Sequence, residues 1–136
     1  MRISKQSSHS AAQQKREIQG LLREIKIKEQ GGKCFLYKKR GCGGEVGKEV
    51  MQFDHLVSRG NSASFADPRL GVLLCRPCHG GWKQWHKPDY DRLVKSILPK
   101  EIVELWERVE ADKKPYRMDW KLEIVYLKSK LKGLST

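Results

Sequence analysis

Apolar positions recur at helical spacing toward both ends of the chain, whereas the middle alternates short apolar runs with glycine-rich turns. Ile18, Leu21, Leu22 and Ile25 share one helical face. Ahead of them, Ser10-Ala11-Ala12-Gln13 fits a capping box, in which the hydroxyl and the amide satisfy orphan backbone N–H groups. The spacing predicts a helix over about 11–29, stopped by Gly31-Gly32. Residues 33–48 are rich in glycine and cysteine and read as a knuckle. Residues 50–53 predict a short strand and 71–74 a second, buried one, joined by the loop-like SRGNSASFADPR. A short helix over about 79–87 is expected after Cys78.

The remainder reads as helical. Asp89 is expected to cap a helix carrying Leu93, Ile97 and Leu98, and Pro99 to sit in the first turn of the next, which carries Ile102, Leu105, Trp106 and Val109. A last helix after Pro115 sets Trp120, Ile124, Leu127, Leu131 and Leu134 four and three residues apart, a narrow stripe of the coiled-coil kind. The simplest place for that stripe is against the chain's own helix bearing Ile102, Leu105 and Trp106. The alternative is a homodimer seam. Residues 1–9 are polar and read as a flexible arm.

Charge narrows the partners. Lys+Arg 28 against Asp+Glu 16 gives +12, an excess that points to a polyanion, nucleic acid above all. No apolar run approaches the roughly 20 residues of a membrane span, so no membrane partner is expected. The opening MRISKQSSHSAAQQKRE has no apolar centre of the export-signal kind, and a cytoplasmic location is expected.

Four cysteines bring the chemistry. Cys75-Arg76-Pro77-Cys78-His79 fits a covalently attached haem, a redox dithiol or half of a metal knuckle. Haem attachment belongs outside the cytoplasm and leaves Cys34 and Cys42 unexplained. A thioredoxin-like dithiol expects a βαβ setting that this pattern does not offer. The metal reading uses all four cysteines: Cys75 and Cys78 form a tight chelating turn, and Cys34 and Cys42 close a four-thiolate structural zinc site. The spacing of Cys34 and Cys42 is wider than usual, but Gly41, Gly43 and Gly44 supply the backbone freedom it needs.

If the thiolates close that site, His79 is left for other work. Asp54-His55 ends the first strand, and His79 opens the helix after the second. Strand, loop, strand and helix in this order describe a ββα-metal hairpin, which projects polar side chains from two elements into one pocket. Individually the three have plainer readings: a turn aspartate, a polar strand-end histidine and a spare thiolate-site ligand.

DHLVSRG with FADPRLGVLLCRPCH resembles the HNH endonuclease superfamily in its zinc-bound form. The order of Asp67-Pro68-Arg69, the CxxC, Pro88-Asp89-Tyr90 and a helix ending Tyr126-Leu127-Lys128-Ser129-Lys130-Leu131 is similar to the lambdoid phage NinG/Rap recombination endonucleases, over roughly 33–134. The resemblance implies an α+β fold, a zinc-stapled ββα-metal core with an N-terminal helix and C-terminal helices. It divides the chain into 1–32 (basic arm and first helix), 33–87 (nuclease core) and 88–136 (C-terminal helical region), within one compact domain.

It also implies a metal-dependent DNA endonuclease acting on duplex or branched recombination intermediates, in the host cytoplasm if phage-encoded. His55 matches the general base, and Asp54 and His79 match the ligands of one catalytic Mg²⁺ or Mn²⁺. The family's middle asparagine, which helps hold the base histidine, falls on Leu70. Asn61 in the loop is the candidate substitute and also a candidate DNA contact. Arg59, Arg69 and Arg76 are candidate phosphate contacts. Trp82 and Trp85 read as core residues before base-stacking ones, and His86 as a surface residue or cap. Two further readings stay open: an HNH nicking enzyme of restriction, homing or DNA packaging, and a non-catalytic zinc module that binds DNA.

Overall fold

The capping box forms as expected. In the computed structural model, which describes residues 10–57, 64–112 and 119–134, the Ser10 hydroxyl accepts from the Gln13 N–H at 3.1 Å and the Gln13 amide oxygen from the Ser10 N–H at 2.9 Å. The arm over 1–9, Arg59, Asn61 and the expected helix start at Pro115 lie outside the described residues. Helix α1 spans Ala11–Glu29 and buries Ile18, Leu22 and Ile25. The knuckle region that follows holds a single helical turn, α2 (Tyr37–Arg40), and one bridge, Lys33 to Glu45.

The two strands, β1 (Met51–His55) and β2 (Gly71–Cys75), form an antiparallel pair in the register Met51–Cys75, Phe53–Leu73 and His55–Gly71. Every residue of β2 is buried, which explains its unbroken GVLLC run. At the turn end of the pair the Phe53 ring lies across Gly71, where a Cβ would fall 1.8 Å from Phe53 Cζ. Only glycine leaves room for the ring. Each outer edge is met at one residue, Met51 on β1 and Leu73 on β2. The Arg23 guanidinium donates to the Met51 carbonyl at 2.7 Å, and the Gln30 amide accepts from the Leu73 N–H at 3.0 Å and donates to its carbonyl at 3.2 Å. The Phe35 N–H reaches that carbonyl too, at 2.8 Å.

Beyond Cys75 the chain departs from expectation. The single helix over 79–87 is instead a π-helical turn, Pro77–Trp82, running into a short α3 (Lys83–Trp85) that breaks at His86. Helix α4 (Lys87–Ile97) therefore starts at His86, with Pro88 in its first turn, and Asp89 lies inside that turn, paired with Arg92 at 2.8 Å rather than capping. The fixed φ of proline suits an early helical position and moves the start forward. Likewise Pro99 is the cap of α5 (Lys100–Ala111), just outside it.

Helix α6 (Trp120–Leu134) packs its stripe from Trp120 to Leu131 against α1 and not against α5, and leaves Leu134 exposed. Leu127 is fully buried among Ile18, Leu22, Ile25, Phe53 and Ala66, with Trp120, Ile124 and Leu131 beside it. The reason is that Trp106 of α5 is already taken up by the larger cluster, with Leu73, Leu74, Tyr90 and Val94. Phe53 and Ala66 cover one side of the α1 face, and α6 covers the rest. Leu127→Asp is accordingly expected to lower stability by more than about 3 kcal/mol, because the new carboxylate has no buried partner. A shift of the urea midpoint measures it. An unshifted midpoint would move the stripe out of the core.

The architecture is thus α+β, with a two-stranded sheet held between the α1–α6 pair and the α4–α5 layer.

Candidate functional site

Four sulfurs gather beneath the sheet. Cys34, Cys42, Cys75 and Cys78 place their ligand atoms within 4.8 Å of one another, three of them buried and Cys42 half-buried. Gly44 lies against this cluster so closely that a Cβ would sit 2.3 Å from Cys75 Cβ and 2.8 Å from its sulfur. The long spacing between Cys34 and Cys42 is therefore closed by a loop that folds onto the sulfurs, with the Cys34 N–H donating to the Gly44 carbonyl at 2.9 Å. Hydrogen bonding from the Cys78 thiol draws the Cys34 thiol down to about 5, despite its burial. Burial pushes Cys75 up to about 11, and the hydrogen bond with Cys34, then burial and the Cys34 charge, push Cys78 up. The Cys34 thiol ionises readily, while Cys75 and Cys78 resist until positive charge arrives. That donor set fits a tetrahedral thiophilic dication. The Arg40 guanidinium supplies some positive charge from outside, donating to Cys78 Sγ at 3.4 Å.

A second constellation lies above, at the end of β1. The Asp54 side chain is 2% exposed yet contacts three donors. His79 Nε2 is 3.2 Å from Oδ1, the Lys83 ammonium bonds the same oxygen, and the Tyr90 hydroxyl donates to Oδ2. Burial raises the Asp54 carboxyl, but the His79 and Lys83 contacts, with Tyr90, outweigh it and hold the group below the ordinary carboxylate range. Burial and the Asp54 charge push the Tyr90 hydroxyl up, so it stays a donor. His79 and Lys83 are four residues apart across the π-helical turn, which sets both on the face that meets Asp54.

His55 is fixed separately. Its Nε2 lies 2.9 Å from the Phe65 carbonyl, and its ring stacks on Phe65 at 4.7 Å and meets the Phe53 edge at 4.9 Å. A carbonyl can only accept, so in the neutral ring Nε2 carries the proton and Nδ1 the lone pair. Leu70 is 2% exposed and packs in the larger cluster, turned away from this task. The Phe65 carbonyl gives the ring a hydrogen bond that the apolar Leu70 side chain cannot.

Asp54, His55 and His79 line one cleft of about 560 Å³ between α1 and α3, whose other walls include Gln19, Gly20, Arg23, Lys83, Gln84 and Lys87. The cationic residues facing it are Arg23, Lys83 and Lys87, none of them expected from the sequence. Arg69 and Arg76 do not line it. Arg69 is clamped by Asp67 through contacts of 3.1 and 2.8 Å, and Arg76 is exposed at the start of the π-helical turn. Lys83 carried a usable signal, its helical spacing from His79. Tyr90 and Arg40 carried none, because each reaches its partner across a long stretch of chain, and the Phe65 carbonyl carried none because it is a backbone group.

No family model, curated protein or solved structure matches the chain.

Proposed function

We propose that the protein is a metal-dependent DNA endonuclease with an HNH-type centre, in which the four cysteines hold a structural zinc and Asp54, His55 and His79 carry the chemistry. Support comes from one juxtaposition: a strand end and the helix after the CxxC bring Asp54 and His79 to 3.2 Å, beside an imidazole whose tautomer a carbonyl selects. In this reading His55 Nδ1 accepts a proton from the attacking water while Nε2–H stays on Phe65. Asp54 and His79 offer one hard and one borderline ligand to a divalent ion, Mg²⁺ or Mn²⁺, which would neutralise charge on the phosphoryl group and the leaving oxygen. Arg23 and Lys87 line the cleft and are the candidate phosphate contacts, although Arg23 here bonds the Met51 carbonyl and Lys87 pairs with Asp91.

Branched recombination intermediates are the proposed substrate on the resemblance to NinG/Rap. Nicking of supercoiled plasmid with and without Mg²⁺ or Mn²⁺, repeated on a four-way junction and on linear duplex, tests both parts. Cleavage that requires the ion supports the enzyme, and faster cleavage of the junction supports the branched substrate.

A second reading, a non-catalytic zinc module that binds DNA, is favoured by Lys83, whose ammonium already neutralises Asp54. DNA binding without cleavage under any divalent ion would support it. Because an ammonium and a dication compete for one oxygen, Lys83→Met is expected to tighten Mn²⁺ binding at this site by at least about tenfold. Titration followed by the Mn²⁺ spin signal reads the change. Equal affinity in the variant would show that Lys83 is no competitor.

A further inference from the structure

The helical segment after the CxxC has two faces, and the site just described uses only one. His79 and Lys83 turn toward Asp54, while Gly81, Trp82, Trp85 and His86 turn the other way and line a separate groove with Arg40, Cys42 and Pro77. This groove has a volume of about 460 Å³, within the range of small-ligand sites. Its two tryptophans differ. Trp82 is half-buried, edge-on to Tyr90 and covered by the Arg40 guanidinium at 4.4 Å from its ring centre. Trp85, expected as a core residue, is 80% exposed, the most exposed large apolar side chain among the described residues.

Packing does not explain an indole left in water. Trp85 ends a three-residue helix that has no buried residue, so no core demands an aromatic there. The surroundings say what it could meet. The groove's charged and ionisable side chains on its walls are Arg40 and His86, with the Cys42 thiol, and no carboxylate lines it. Exposed Arg76 and Lys39 adjoin it in sequence, and the whole chain carries +12. An exposed π-face flanked by guanidinium and imidazole, with an open floor at Gly81, suits a flat ring attached to a phosphate.

We infer that this groove binds an unpaired nucleobase of single-stranded DNA, stacked on Trp85, with its phosphate toward Arg40 and His86. The inference rests on the nucleic-acid part of the proposed function and adds to it: the catalytic face and the stacking face are back to back on one helical segment. A junction arm or flap that frays near the cleft would present its unpaired base there, which gives branched DNA an advantage that an intact duplex lacks.

The test measures binding, not cleavage. Intrinsic tryptophan fluorescence is titrated with short oligothymidylate and, in parallel, with duplex DNA of the same length, with no divalent ion added. The wild-type chain is expected to bind oligothymidylate with quenched emission. Trp85→Ala should lose most of the quench and lower the single-strand to duplex affinity ratio about tenfold, while Trp85→Phe should keep most of the affinity. At 80% exposure the alanine variant should fold, and an unchanged circular dichroism melt verifies it. An affinity ratio unchanged in Trp85→Ala overturns the inference and leaves the endonuclease reading standing. Failure of the wild-type chain to bind either DNA overturns both.

Discussion

Removing metal from the four-cysteine cluster is expected to unfold the centre of the chain rather than loosen it. A structural zinc site contributes on the order of 10 kcal/mol of coupled binding and folding energy, comparable with the whole net stability of a domain this size. Little else holds the segment that supplies Cys34 and Cys42. It has one helical turn, one isolated bridge and Leu36 in the core. The other half of the cluster is the end of β2 and the π-helical turn, so loss of metal should also release the element that carries His79 and Lys83. Chelation should therefore lower the melting temperature and abolish DNA cleavage together, and Cys75→Ser or Cys78→Ser should reproduce the effect at normal zinc. Cys75 should be the less tolerant, because Gly44 packs directly on it. A chelated sample that melts at the untreated temperature would end the structural-zinc proposal.

The second large effect is expected from His55→Ala, which should cut the cleavage rate by a factor on the order of 10³ while DNA binding persists. The imidazole is only half-buried, beside Phe53 and Phe65, so its removal should cost less stability than that of the buried Asp54. Asp54→Asn should behave differently. It leaves the Lys83 ammonium without its buried counter-charge, so activity and melting temperature should fall together. Single-turnover cleavage beside a thermal melt separates the two. A His55→Ala chain that cuts at the wild-type rate would remove the histidine from the chemistry and the HNH reading with it.

What the sequence made legible was local. Ser10 and Gln13 announce α1, GVLLC announces a strand buried on both faces, and the spacing from Trp120 to Leu131 announces an apolar stripe. The partner of that stripe was not legible, because α5 and α1 offer equally apolar faces and only three-dimensional packing decides that Trp106 is already covered. The site follows the same rule. Asp54, His55, His79 and the cysteines sit at element ends that motif spacing marks, and the fold brings each group together. Tyr90 and Arg40 reach their partners across 36 and 38 residues, with no periodic signal to link them. Trp85 misled for a related reason: an indole looks like core in a sequence, and only the break at His86 leaves it outside.

The occupied edges of the hairpin have a consequence for how the molecule behaves in a crowd. A lone two-stranded sheet has two rims of unpaired backbone groups, each a template on which a neighbouring chain can add a strand. Here the Gln30 side chain, bonding both the N–H and the C=O of Leu73, imitates the backbone of a third strand and then offers nothing to a fourth. Arg23 blocks the other rim at Met51 with a charged group. At Leu73 the GVLLC strand thus has no backbone group left for an incoming strand, because the amide of Gln30, the C-cap of α1, holds both.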